Sequence, residues 1–407
     1  MIIVKGVFFC AACGVLVAAS YDRRTLPYAA AFFAVLAYFM RYLVLVRPIF
    51  MSLLFLAVFV LALERYGKNG RRRLLWILPA IQLAWVNVQG LYILGPLTLL
   101  IFIIGGGVEL LLKDMRFRFI GIERRAHSAD IKPLLPVFAA VCAACLVNPY
   151  GYRALVLPFV LYSRIEPALA GVYSWNVSEN LPTWHIEQTA PWLTPHLKWL
   201  GLVAITSFFL ARRRLSPWRL LLFAAYFYLG MLAERNLTLY LLVLGHVTLA
   251  NAAVLVEENK FMLPAAAKMA GLGAAAATAL LVFCGTYASW KLEPSILGLS
   301  PFRYPVAAAD MLEHDDFGGN VFNSERYGGY LIWRLYPRKK VYIDGRLVLR
   351  GREAFRDFLA MLDDPSLFSA VRERHGMTRA VVPTAVFDRY LPLAKALSVS
   401  YTHLRAH

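Results

Sequence analysis

Charge is what this 407-residue sequence has least of. Only 17% of its residues are Asp, Glu, Lys or Arg, whereas 59% are hydrophobic and the mean hydropathy is +0.56. A water-soluble globule of this length needs more charge to cover its surface, so a wholly soluble protein is excluded. Acidic residues are the scarcer sign, 25 against 43 basic ones. Cysteine is rare as well. All five (Cys10, Cys13, Cys142, Cys145, Cys284) fall in apolar runs, and none follows residue 284, so the C-terminal part does not depend on disulfides. Cys10/Cys13 and Cys142/Cys145 have C-x-x-C spacing. Each pair lies in an Ala-rich stretch without a His or acidic companion, which points to small packing residues and away from a metal or redox site. Gly328-Gly329 lacks the spacing of a phosphate-binding loop, so no nucleotide site is read there.

What is abundant is apolar sequence in runs long enough to cross about 30 Å of hydrocarbon. Candidate spans are 3–19, 26–43, 48–64, 74–88, 91–112, 133–148, 198–211, 217–233, 237–255 and 267–289. Residues 1–290 carry 26 Lys+Arg against 12 Asp+Glu, and the loops between spans alternate in charge. The set 22–24, 65–73, 113–132, 212–219 and 257–268 holds 19 of the 26 basic residues, which assigns those loops to the cytoplasm. The remaining 7 are Lys5, Arg41, Arg47, Arg153, Arg164, Lys198 and Arg235. The basic excess therefore sets topology and does not indicate a nucleic-acid partner; the partner it implies is the lipid bilayer.

The same topology makes the segment 149–197 and everything after about residue 291 extracytoplasmic. Residues 152–163 are apolar but too short to span, as an interfacial or re-entrant helix would be. Trp175, Trp184 and Trp192 lie in the following stretch, where an aromatic belt is expected. The fold class is therefore mainly α: a polytopic transmembrane bundle of about ten helices over 1–290, then a small α/β domain over 291–397. In that domain, strands are expected at 319–323, 340–344 and 379–382. Helices are expected at 305–314, 328–335, 351–362, 365–374 and 389–397, with Asp364-Pro365 as an N-cap pair. Residues 398–407 fit no preceding pattern and read as an artefactual tail. Residue 1 on the outer side implies an odd number of helices upstream.

Polar residues in apolar surroundings are the candidate site. Arg47, beside Pro48, is an outer-side cation able to hold a lipid phosphate or to anchor the interface. Asn87 and Gln89 sit in Trp85-Val86-Asn87-Val88-Gln89-Gly90, either lining a wet cavity or bonding helix to helix. Glu234-Arg235-Asn236 closes the eighth span, with Glu234 and Arg235 neutralising one another or Arg235 forming a cationic lip. Asn148 and Glu166 belong to the long outer segment. His246 lies mid-helix with no partner visible in sequence. Asp344-Gly345-Arg346 follows a strand; an internal Asp–Arg pair with a positive φ at Gly345 is the favoured reading over a ligand contact. No catalytic residue, metal ligand or cofactor is assigned.

Five segments occur in a telling order: RPIFMSLLFLAVFVLALE, WVNVQGLYILG, CLVNPYGYRALVLPF, AERNLTLYLLVLGHV and NVFNSERYGGYLIWRLYPRKKVYIDGR. Together, from about Arg47 to Ala396, they resemble a bacterial family of polytopic membrane proteins similar to the GT-C glycosyltransferase superfamily. Its relatives include dolichyl-phosphate-mannose mannosyltransferase-like and oligosaccharyltransferase-like proteins. The resemblance implies a protein of the bacterial cytoplasmic membrane that takes sugar from a polyprenyl-phosphate donor on the outer face. It implies an acidic residue in the first outer loop as base or metal ligand, expected upstream of Met1. It also implies basic residues at the donor phosphate, a role open to Arg47 and Arg235. Gln89 departs from the family's W-x-N-x-H-G pattern, which has His at that position. The alternative is a non-catalytic scaffold or an envelope-polysaccharide or lipid handling subunit.

Overall fold

The computed structural model describes residues 2–19, 29, 32, 33, 35, 36, 40, 43, 49–112, 119–123, 130–165, 172–189, 191, 193–257, 273, 304–316, 318–347, 352–383, 390, 392 and 393. The chain divides into two compact units, 1–284 and 285–407.

The first unit is helical. Its main elements are α1 (Ile2–Ala19), α2 (Ile49–Asn69), α3 (Ile77–Val88), α4 (Leu94–Leu112), α5 (Leu134–Ala144), α6 (Tyr152–Ile165), α7 (Thr194–Leu210), α8 (Pro217–Leu232) and α9 (Leu237–Glu257). Three helical stretches among the described residues are long and apolar enough to cross a membrane: Ile49–Asn69, Gly90–Leu112 and Glu234–Glu257. This is fewer than the ten spans read from sequence. The helices Leu134–Ala144 and Pro217–Leu232 fall short in length, and the helix expected over 74–88 is divided at Trp76 into Arg72–Leu75 and α3. The expected spans 26–43 and 267–289 lie mostly outside the described residues. Within the first of these, Ala29, Phe33, Leu36 and Met40 are buried at helical spacing. The apolar residues 152–163, too short to span, lie in the helix α6, with Pro158 inside it.

Helix α9 is the axis of the unit. Residues Leu237–Leu249 are buried on every side, so it faces protein all round. Helices α7 and α8 pack on it, α8 also packs on α4, and α2 packs on α1, α3 and α4. At Gly105 of α4, a Cβ would come within 2.5 Å of the Trp218 Cα, so the α4–α8 crossing is a backbone-to-backbone approach that only glycine permits. Aromatic rings fill the wider gaps: Trp85 lies between Phe55 and Phe59, and Trp218 lies against Phe102.

The second unit, by itself, is α/β. Its elements are α10 (Val306–Glu313), β1 (Asn320–Asn323), α11 (Glu325–Leu335), α12 (Arg352–Asp363), α13 (Phe368–Arg374) and β2 (Met377–Val381). Strands β1 and β2 pair in parallel, with Val321 opposite Arg379. The strand expected over 340–344 reduces to one bridge, Val321 to Val341. Beside that bridge the Asn323 side chain binds the following residues: its Oδ1 accepts from Tyr342 N (3.0 Å), which also donates to Val321 O (2.9 Å), and its Nδ2 donates to Ile343 O (2.6 Å). Asp364 caps as expected, its carboxylate accepting from Ser366 N. Most of the helix expected at 389–397 lies outside the described residues.

The turn after residue 343 is fixed by Asp344, which is buried and accepts from Arg346 N (2.8 Å), Nε (2.9 Å) and a terminal guanidinium nitrogen (2.9 Å). These bonds push the Arg346 pKa up from its ordinary value. The positive φ expected at Gly345 is found instead at Gly319 and Gly376, which flank the strands; the Asp344 side chain, not a left-handed residue, makes the turn. Arg334 clamps α11 to α10 by bonding Asp310 (2.7 Å) and Glu313 (2.6 Å), and its guanidinium holds the Glu313 carboxyl below the usual range.

Candidate functional site

The loops of the helical unit gather into two groups. One collects the basic loops. Arg72 pairs with Asp130 (3.1 Å) and Tyr66 donates to the Asp130 carbonyl (2.7 Å), joining 65–73 to 130. Gly121 N donates to Arg212 O (2.9 Å), Leu215 N to Gly121 O (2.8 Å), and Glu123 N to Leu215 O (2.7 Å), a short parallel clip between two loops. A Cβ on Gly121 would sit 2.0 Å from the Arg213 carbonyl oxygen, so the clip requires glycine. Arg214 then pairs with Glu257 (3.1 Å).

Beneath the clip lies a buried ionic cluster. Arg219 gives Nε to Glu64 Oε1 (3.0 Å) and a second nitrogen to Glu64 Oε2 (3.4 Å), a forked pairing, while its third nitrogen lies 3.3 Å from Glu123. His246 Nε2 is 3.2 Å from the same Glu64 oxygen. Arg219 and Glu64 are each 1% exposed and His246 0%. The cluster ties α2, α8, α9 and the clip together. Buried charges persist only when paired in this way.

The other group holds the candidate residues. Gln89 ends α3 in an extended conformation and starts the turn Gly90–Ile93, its Oε1 accepting from Leu91 N (2.5 Å) and Ser52 Oγ (3.1 Å). Trp85 Nε1 donates to the same Ser52 (2.8 Å). Asn87 donates to the carbonyls of Leu83 and Val147, both at 2.9 Å. Asn148 donates to Cys145 O and accepts from Tyr150 N, both at 2.8 Å. Asn87, Gln89 and Asn148 thus form one neighbourhood, where the long segment leaves α5. Buried Gln82 supports it from beneath, donating to Tyr92 O and Cys145 Sγ, and the Tyr92 hydroxyl donates to Ala154 O.

Arg235 and Asn236 form a second neighbourhood. Asn236 donates to Leu229 O (3.0 Å), Glu234 N to Leu181 O (2.9 Å), and Thr183 Oγ1 to Gly230 O (2.5 Å), so the return of the long segment is laced to the α8–α9 turn. Arg235 faces Glu179 of that segment at 3.9 Å, and its side chain remains 33% exposed. Arg47 and Glu166 lie outside the described residues. The two neighbourhoods are connected through α6, which packs on the turn 90–93 and on Val172–Asn176.

Sequence reasoning missed Glu64, Glu123 and Arg219, and it left His246 without a partner. The signal was present as charges interrupting apolar runs: Glu64 within the span 48–64 and Arg219 within 217–233. Among the described residues no group of three or more His, Cys, Asp or Glu is disposed to hold a metal ion. Compared with known proteins, the chain matches no family model and no curated sequence.

Proposed function

We propose that this chain is a GT-C-like membrane glycosyltransferase that takes sugar from a polyprenyl-phosphate donor at the outer face of the bacterial cytoplasmic membrane. The observation that carries the reading is Arg235: a partly exposed cation at the turn between two helices, 3.9 Å from Glu179 of the long outer segment. Charge-assisted bonds from a guanidinium to a phosphate are shorter and stronger than a pairing at that distance, so a donor phosphate suits this cation. The order of motifs resembling the GT-C superfamily supports the same reading. Arg235→Ala in the full-length protein weakens donor binding by about ten- to a hundredfold, the worth of a charge-assisted hydrogen bond, and leaves helicity unchanged. Titration with a short-chain polyprenyl phosphate checks it; unchanged affinity removes Arg235 from the donor site.

A second reading, a non-catalytic scaffold, is favoured by the amides. Asn87 and Asn148 spend their hydrogen bonds on backbone groups, as helix-end caps do. Sugar transfer from a polyprenyl-phosphate donor, assayed directly with the purified protein, separates the two: turnover favours the enzyme, and its absence the scaffold.

The proposed topology puts loops 65–73, 113–132 and 212–219 in the cytoplasm, about ten spans in the bilayer and the second unit outside. The gathering of the basic loops through Asp130, Gly121 and Glu257 supports a shared side. Reporter fusions at Lys68 and Gly351 are expected to signal from opposite sides; signals from the same side would sink the topology.

A further inference from the structure

We propose that the N-terminal end of α7 carries a binding site for a zwitterionic, primary-amine phospholipid headgroup of the phosphatidylethanolamine type. The site is an open cleft of about 680 Å3 lined by Glu187, Pro191, Thr194, Lys198, Trp199 and Leu202. None of these residues belongs to the neighbourhoods of Gln89 and Arg235 described above, and the inference does not rest on the sugar-transfer reading.

Three features define its chemistry. The first is a matched pair of charges: Lys198 Nζ stands 3.1 Å from Glu187 Oε1, with both side chains mostly in the open (74% and 62% exposed). Exposed pairs of this kind hold each other weakly and exchange readily for better partners. A headgroup with a phosphate and an ammonium on a short ethylene linker offers each member its opposite sign. An anionic headgroup gains Lys198 but meets the Glu187 carboxylate.

The second feature is Thr194. It lines the cleft and is only 8% exposed, yet its Oγ1 has no hydrogen-bond partner among the described residues. A buried hydroxyl without a partner is costly, and a phosphate oxygen would satisfy it. It stands at the first position of a 17-residue helix, whose positive end favours the same phosphate. The third is the apolar continuation. Trp199 and Leu202 are exposed on the cleft side of α7, and Val203 and Phe209 extend that exposed face along the helix. Leu200, Ala204 and Phe208 on the opposite face are buried. Acyl chains lie along the exposed face while the Trp199 ring sits at headgroup level, its usual depth. Charge above and hydrocarbon below match an amphiphile with its headgroup in the cleft.

The test uses the full chain in detergent, with native mass spectrometry reading the retention of dioleoyl phosphatidylethanolamine, phosphatidylcholine and phosphatidylglycerol at equal concentration. Phosphatidylethanolamine is expected to be retained about tenfold over the other two, the worth of one charge-assisted hydrogen bond. Glu187→Gln removes the preference over phosphatidylcholine, whose quaternary ammonium donates no hydrogen bond. Thr194→Val lowers retention of phosphatidylethanolamine several-fold. Glu187 is exposed, so its variant keeps the fold even if the threonine variant does not. Equal retention of the three lipids overturns the proposal, as does a preference that survives Glu187→Gln. Quenching of Trp199 fluorescence by a soluble oligosaccharide, without lipid preference, overturns it in favour of a glycan site.

Discussion

Arg219→Ala is expected to lose most of the stability of the helical unit. Removing the guanidinium takes a paired cation away from both Glu64 and Glu123, which are buried. Breaking a buried charge cluster by deleting one partner costs about 3–5 kcal/mol, a large share of the stability of a typical folded domain. The full chain in one detergent should therefore melt well below the parent, or fail to accumulate as a monodisperse species. A triple variant, Arg219→Met with Glu64→Gln and Glu123→Gln, should regain much of the loss, because no net charge is then left buried. A melting temperature within a degree or two of the parent for Arg219→Ala alone would show that the cluster does not hold the helices.

The second large effect concerns Gly105. An alanine there puts its methyl into the Trp218 backbone, which cannot rotate out of the way. Helices α4 and α8 must move apart, and overpacking of this kind costs about 1–3 kcal/mol or more. Gly107, two residues on in the same helix, supplies the control. A methyl at Gly107 meets nothing nearer than the Ile131 Cδ1 at 4.0 Å, so Gly107→Ala should be neutral or slightly stabilising through helix propensity. Parallel thermal melts of the two variants decide the matter. Equal behaviour would mean that the crossing is looser than its geometry.

Much of the helical unit was legible in the sequence because an apolar run of membrane length is a one-dimensional signal. Ile49–Asn69 and Gly90–Leu112 are read from their composition alone. The polar cluster was not legible. Glu64 and His246 are 182 residues apart, and nothing local to either announces the other. Gln89 was legible as an odd residue in an apolar stretch, but not as a cap: only the extended backbone after α3 reveals that its side chain closes the next turn. In the second unit, alternation of strand and helix gave the class, and β1 and β2 were expected within a few residues. The 340–344 strand stops at one bridge, and the Asn323 side chain binds the main chain of Tyr342 and Ile343 beyond it, a contact that residue patterns do not encode.

The clip between Gly121 and Leu215 has a consequence for how the chain is strung. It fastens the residue pair on either side of everything from α5 to α7, so that stretch is an excursion that departs from and returns to one knot. The excursion is tethered at its far end too, where 181 and 183 are laced to 234 and 230. A backbone cut between these two fastenings, at Tyr150 for example, would leave both fragments tied to the remainder. In mechanical terms the segment 149–197 is a strap, fastened near its start by Asn87 to the Val147 carbonyl and further on by 181 and 183 to the α8–α9 turn, so the groups it carries, Glu179 among them, keep their station beside Arg235.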